Sequence, residues 1–133
     1  MIKNNREKII MVDDNVVNLA IGKGILSPEY EVLALPSGEK LFIILERIKP
    51  DLILLDIDMP EMDGFDIIKM LKKEDKTAQI PVIFLTARTD AESEHTGLLL
   101  GASDYIVKPY TAAYLREKVR DCLSCFDTEM QDA

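Results

Sequence analysis

Tryptophan is absent, histidine occurs once, at His95, and the only cysteines are Cys122 and Cys125. With no second cysteine pair and a single histidine, a four-ligand zinc site has too few ligands, and a C-x-x-C late in a helical pattern reads as a small apolar face near a helix end. Long hydrophobic runs are missing as well, since no window approaches the eighteen or more apolar residues of a membrane span. The N-terminal MIKNNREK is charged, and the apolar IIMV after it stops at Asp13, so no signal peptide is recognised and a cytoplasmic protein is expected. Positive charge is in short supply. Sixteen Lys and Arg against 24 Asp and Glu leave a formal charge of −8, which argues against direct nucleic-acid binding and makes a cation the more natural partner. Gly/Ser-rich linkers and internal repeats are lacking too. At 133 residues, 47% of them hydrophobic, the chain suits one compact domain, residues 1–125, followed by a frayed tail, FDTEMQDA, at 126–133.

What is present is a series of short apolar runs: KIIMVDD (8–14), YEVLALPS (30–37), DLILLD (51–56), IPVIFLTA (80–87) and SDYIVKP (103–109). Four are apolar on successive residues, as a parallel strand covered on both faces requires; the mixed second run belongs nearer an edge. Helical spacing fills the intervals. Val16, Leu19, Ala20 and Leu26 share a face of 15–26, and Leu41, Ile44, Leu45 and Ile48 share one of 38–49. Phe65, Ile68 and Leu71 mark 64–74, GLLLG ends 90–100, and Ala112, Leu115, Val119 and Leu123 mark 111–125. Strands alternating with helices predict a (βα)5 doubly wound α/β domain, a five-stranded parallel sheet with helices on both faces.

Ligands of such sheets bind beyond the carboxyl ends of the strands. The first strand closes on Asp13-Asp14, the third on Asp56, the fourth on Thr86 and the fifth on Lys108-Pro109. Singly, each has a bland explanation. Asp13 and Asp14 could cap a helix, Thr86 could be a solvated hydroxyl, Lys108 a surface lysine, and Asp63 before Gly64 is most simply the N-cap of the third helix. The conjunction at four strand ends carries more weight. Carboxylates 5 Å apart repel by about 3 kcal/mol at an effective dielectric near 20, so a positive charge must hold them. An all-oxygen cluster selects a hard cation, Mg²⁺ in the first place or Mn²⁺, and Lys108 adds a mobile charge. Such a site favours an incoming phosphoryl group, which a free carboxylate can attack to form an acyl phosphate.

The chain resembles the receiver domains of two-component response regulators over about residues 6–124, through IIMVDDN, DLILLDIDMPEMDG, PVIFLTA and GASDYIVKPY in that order. The resemblance implies a flavodoxin-like fold and a phosphorylation-dependent signalling switch. Asp56 would accept phosphate from a histidine kinase or phosphotransfer protein. Asp13, Asp14, Asp56 and the backbone carbonyl of Asp58 would hold Mg²⁺. Thr86 and Lys108 would contact the phosphoryl group, Tyr105 would swing between outward and inward positions, and the Lys108–Pro109 bond would be cis. The responding surface would run from HTGLLLG through Tyr105 to AAYLREKV, serving a downstream protein, a linked output domain, or a homodimer formed on phosphorylation. Asp58 and Arg88, two residues beyond Asp56 and Thr86, are expected to flank the pocket mouth with opposite charges.

Three other classes compete. The D-x-D of Asp56 and Asp58 is similar to that of haloacid-dehalogenase-type phosphatases, but the acidic pair comes first here and no cap segment follows. A receiver-like interaction module that no longer takes phosphate would lose an acid, the threonine or the lysine, all of which are retained. A nucleotide-binding Rossmann module is weaker, because VDDNVVNLAIG lacks the glycine-rich turn.

Overall fold

The structure is a computed structural model that describes the backbone of residues 6–132 and the side chains of residues 6–124. Five strands alternate with five helices: β1 Lys8–Val12, α1 Val16–Leu26, β2 Glu31–Leu35, α2 Gly38–Leu45, β3 Leu52–Leu55, α3 Gly64–Lys73, β4 Val82–Thr86, α4 Ala91–Leu99, β5 Asp104–Val107 and α5 Ala112–Asp132. The strands form one parallel sheet in the order β2-β1-β3-β4-β5, with β2 at an edge as its mixed pattern predicts. Every residue of β3 and β4 is buried, because helices cover both faces of the sheet there. Those covers form two cores. Leu41 of α2 and Ile67, Ile68 and Leu71 of α3 pack with Ile53, Leu55 and Phe84 on one face. On the other, Leu19 and Leu26 of α1 and Leu115, Val119 and Leu123 of α5 pack with Ile9, Leu54 and Ile83.

Local chemistry sets the helix starts. Asn15, Ser37, Asp63 and Asp90 cap α1 to α4, each side chain accepting a backbone N–H of the first turn. Asp63 forms a reciprocal capping box with Asp66, so this acid opens a helix as expected. Since Asn15 caps α1, the helix-cap explanation of Asp13 and Asp14 is superseded.

Three expectations shift. Val16 and Ala20 lie exposed; the buried face of α1 is Leu19, Gly22 and Leu26, where Gly22 lets the helix approach Met11 of β1. The second helix ends at Leu45 rather than continuing to Lys49, and Glu46 and Arg47 form a turn ahead of Pro50, whose ring disfavours helix in the residue before it. At the C-terminus, α5 takes in residues 126–132 of the expected tail. The side chains from Cys125 onward, that cysteine included, lie outside the described residues. Among the described residues, no helix is long and apolar enough to cross a membrane.

Candidate functional site

Parallel register brings the strand ends level. Val12 pairs with Leu55, Leu55 with Phe84, and Thr86 with Val107, so the residues that follow β1, β3 and β5 emerge at one edge beside Thr86. The chain passes from β1 outward to β2 and then back across to β3, which makes the crevice between the ends of β1 and β3 the switch point of the sheet. Asp13 and Asp56 stand there. Their positions are set by backbone hydrogen bonds, from the Asp13 N–H to the Leu35 carbonyl (3.1 Å) and from the Asp56 N–H to the Val12 carbonyl (3.0 Å).

Asp13, Asp14 and Asp56 each offer a carboxylate oxygen, and these oxygens lie within 4.8 Å of one another. Asp13 and Asp56 are buried, whereas Asp14 is exposed. Lys108 reaches both buried acids, with Nζ 2.6 Å from Asp13 Oδ2 and 3.5 Å from Asp56 Oδ2. Its backbone N–H donates to the Thr86 carbonyl at 2.8 Å, and the Lys108–Pro109 bond is cis. Burial pushes the Asp56 carboxyl above its ordinary value. Lys108 pulls it down, Asp13 raises it again, and the Thr86 hydroxyl and Asp58 N–H lower it, but burial prevails.

The pocket mouth is crossed by an ion pair. Arg88 Nε lies 2.9 and 3.1 Å from the two Asp58 oxygens, and Nη2 lies 2.7 Å from Oδ1. Asp58 thus turns its carboxylate outward, while its backbone N–H faces Asp56 Oδ1 at 3.4 Å. A phosphatase of the D-x-D kind needs that second carboxylate as its acid/base, and here Arg88 occupies it. Tyr105 is inward and 7% exposed, with its ring 6.2 Å from that of Phe84 and its hydroxyl donating to the Arg88 carbonyl at 3.1 Å.

Sequence reasoning missed two contacts of Arg88. Nη1 donates to the buried Ser93 hydroxyl at 3.3 Å, and the guanidinium lies 5.7 Å from the Phe65 ring centroid. Ser93 had a partial signal, standing three residues after Asp90 where the first turn of a helix falls; nothing in its spacing marked Arg88 as a partner.

The three carboxylates make an all-oxygen donor set with no cysteine or histidine in it, and two of them are buried at the end of the sheet. That chemistry fits a small hard divalent cation.

Fold and site define a doubly wound α/β domain with an acidic pocket, bridged by a lysine, at the switch point of its sheet. The response regulator receiver domain model matches residues 9–120, and the chain belongs to that family. A Vibrio cholerae protein named "Probable cyclic di-GMP phosphodiesterase" is 41% identical over 111 residues, which are 84% of this chain and 25% of that protein. The "Probable transcriptional regulator ycf27" of Cyanophora paradoxa is 39% identical over 120 residues, 90% of this chain and 49% of its own length. Among solved structures, the receiver domain of a sensor histidine kinase from Pseudomonas aeruginosa, with magnesium ion coordinated in its active site cleft, aligns with a TM-score of 0.81 at 28% identity, covering 90% of this chain and 98% of its own. The chain spans about half the length, or less, of these curated relatives. Receiver domains are signalling domains rather than conventional enzymes, and the phosphodiesterase name belongs to a protein of which this chain matches a quarter. Relatives named as transcriptional regulators confine the argument from the −8 charge to this domain's own surface.

Proposed function

We propose that the domain is a phosphorylation-dependent switch in which Asp56 accepts a phosphoryl group from a histidine kinase or a phosphotransfer protein. The observation that carries this reading is the convergence of Asp13, Asp14 and Asp56 with Lys108 at the end of the sheet. An Asp56 oxygen bonds to phosphorus as the bond from phosphorus to the donor nitrogen breaks. Water later cleaves the acyl phosphate, releasing inorganic phosphate and restoring the carboxylate. Asp13, Asp14, Asp56 and the Asp58 backbone carbonyl would hold Mg²⁺, or Mn²⁺, which when bound supplies positive charge to the peripheral phosphoryl oxygens. A magnesium ion in the cleft of the Pseudomonas aeruginosa relative supports that assignment.

Lys108 moves from pairing with the acids to pairing with the phosphoryl group, and the Thr86 hydroxyl hydrogen-bonds it. Phosphorylation thereby biases two pre-existing arrangements, with Tyr105 following Thr86. The readout surface is α4, β5 and α5, where Leu98, Leu99, Val107 and Tyr114 are exposed apolar residues. That face serves a downstream protein, a linked output domain, or a second copy after phosphorylation. The setting is cytoplasmic, where histidine kinases present their phosphohistidines. Arg88 and Asp58 flank the acyl phosphate and slow attack by water.

Incubation with acetyl phosphate and Mg²⁺, followed by intact mass measurement, tests the central claim. One added phosphoryl group is expected, absent in Asp56→Asn; equal labelling of that variant would place the acceptor elsewhere.

A further inference from the structure

Arg88 joins the loop after β3 to α4 and also contacts Thr86 and Tyr105. Its guanidinium grips Asp58 in the loop after β3 and reaches Ser93 in the first turn of α4. Its backbone N–H faces the Thr86 hydroxyl at 3.4 Å, and its carbonyl holds the Tyr105 hydroxyl. Ser93 is 6% exposed, so the α4 end of this connection is fixed in the interior, while the Asp58 end lies open to solvent. The Phe65 ring beside the guanidinium narrows the side chain's freedom between the two anchors.

We propose that the Arg88 side chain is a strap that transmits the state of the Asp58 loop to α4, alongside the backbone contacts that Arg88 makes with Thr86 and Tyr105. The loop carries Asp56 at its start, so displacement of that loop on phosphorylation pulls on Arg88 and thus on the first turn of α4. Coupling runs both ways: whatever docks on α4 and holds Ser93 alters how firmly Asp58 is held at the pocket mouth. Arg88 is a positioning residue here. Lysine would keep its charge but lack the fork that spans two partners at once.

The inference deepens the proposed switch function, so its decisive test needs no phosphorylation. Amide hydrogen exchange is followed in residues 91–96 of the unphosphorylated protein for Asp58→Asn, Arg88→Lys, Ser93→Ala and the Asp58→Asn/Ser93→Ala double variant. Cutting the strap at either end should speed exchange in the first turn of α4 by about fivefold, the scale of one exposed ion pair. The Ser93 side chain also bonds the capping Asp90, so the double variant should match Ser93→Ala rather than exceed it, because one connection cannot be cut twice. Asp58 forms no hydrogen bond or ion pair with α4 among the described residues, so unchanged exchange in Asp58→Asn would overturn the strap, and so would effects that multiply in the double variant. Loss of acyl phosphate after acetyl phosphate loading, timed in Asp58→Asn and Arg88→Lys, reports the screening role separately. An unaltered lifetime there with accelerated exchange in α4 would leave the strap standing and remove the screen.

Discussion

Asp56 is held where burial opposes its charge and Lys108 supports it. Since burial prevails, the carboxyl binds its proton more tightly in the folded protein than in the unfolded chain, and its ionisation weakens the fold. Below the ordinary value of 3.8 the group is protonated in both states and the penalty is absent. As pH rises through the folded-state value, the unfolded chain is already ionised and the fold loses that stability. Asp56→Asn removes the titration and leaves Lys108 paired with Asp13 at 2.6 Å, so no cation is orphaned. Thermal melts without divalent cations should show Asp56→Asn more stable than the parent at pH 7, with the gap closing as pH falls below about 4. A gap independent of pH would assign the effect to packing. In the proposed switch, that tension is what a bound cation would relieve.

At the scale of elements, the strand ends were legible because a parallel strand buried on both faces must be apolar throughout, so the first polar residue after LILL or VIFL marks the sheet's edge. That is why Asp56 and Thr86 could be placed at strand ends from the sequence; Asp63 was legible for a different reason, an acid just before the glycine that opens a helix. Helix faces were less legible. Val16 and Ala20 fit an apolar spacing yet point to solvent, since three residues, Leu19, Gly22 and Leu26, suffice to seat α1 on the sheet. Contacts between distant elements were legible only where strand ends converge and where Asp58 meets Arg88; the further reach of Arg88 to Ser93 was not, because it depends on how α4 is set against the loop after β3.

Glycine shows how closely the elements are set. A Cβ on Gly64, the first residue of α3, would lie 2.5 Å from the Asp56 carbonyl oxygen and 2.8 Å from the Ile57 Cα, both backbone atoms that cannot swing aside. Gly64→Ala should therefore cost about 1–3 kcal/mol, read as a lower urea midpoint with an unchanged slope. A midpoint within error of the parent's would mean that α3 can retreat from the end of β3 at little cost.

The whole molecule joins a rigid base to a charged rim. Two apolar cores clamp the sheet from opposite sides, so the strands cannot yield when three carboxylates crowd at their ends. Repulsion within that cluster, in a chain of net charge −8, is carried by the folded state alone, because the unfolded chain separates Asp13 from Asp56. A cation that binds the cluster therefore stabilises the fold by linkage. At a hundred times its dissociation constant Mg²⁺ should add about 2.7 kcal/mol, or roughly 8 °C in melting temperature for a domain of this size, and excess chelator should reverse the gain. General screening of the acidic surface predicts a different outcome, since potassium chloride at matched ionic strength would then do the same. Asp14→Asn separates the two further. Asp14 is exposed and forms no ion pair among the described residues, so its loss leaves no buried charge unpaired, yet it removes one of the three carboxylates that converge. The shift with Mg²⁺ should shrink by more than half in this variant; a full shift would move the cation away from the cluster and take the proposed phosphotransfer geometry with it.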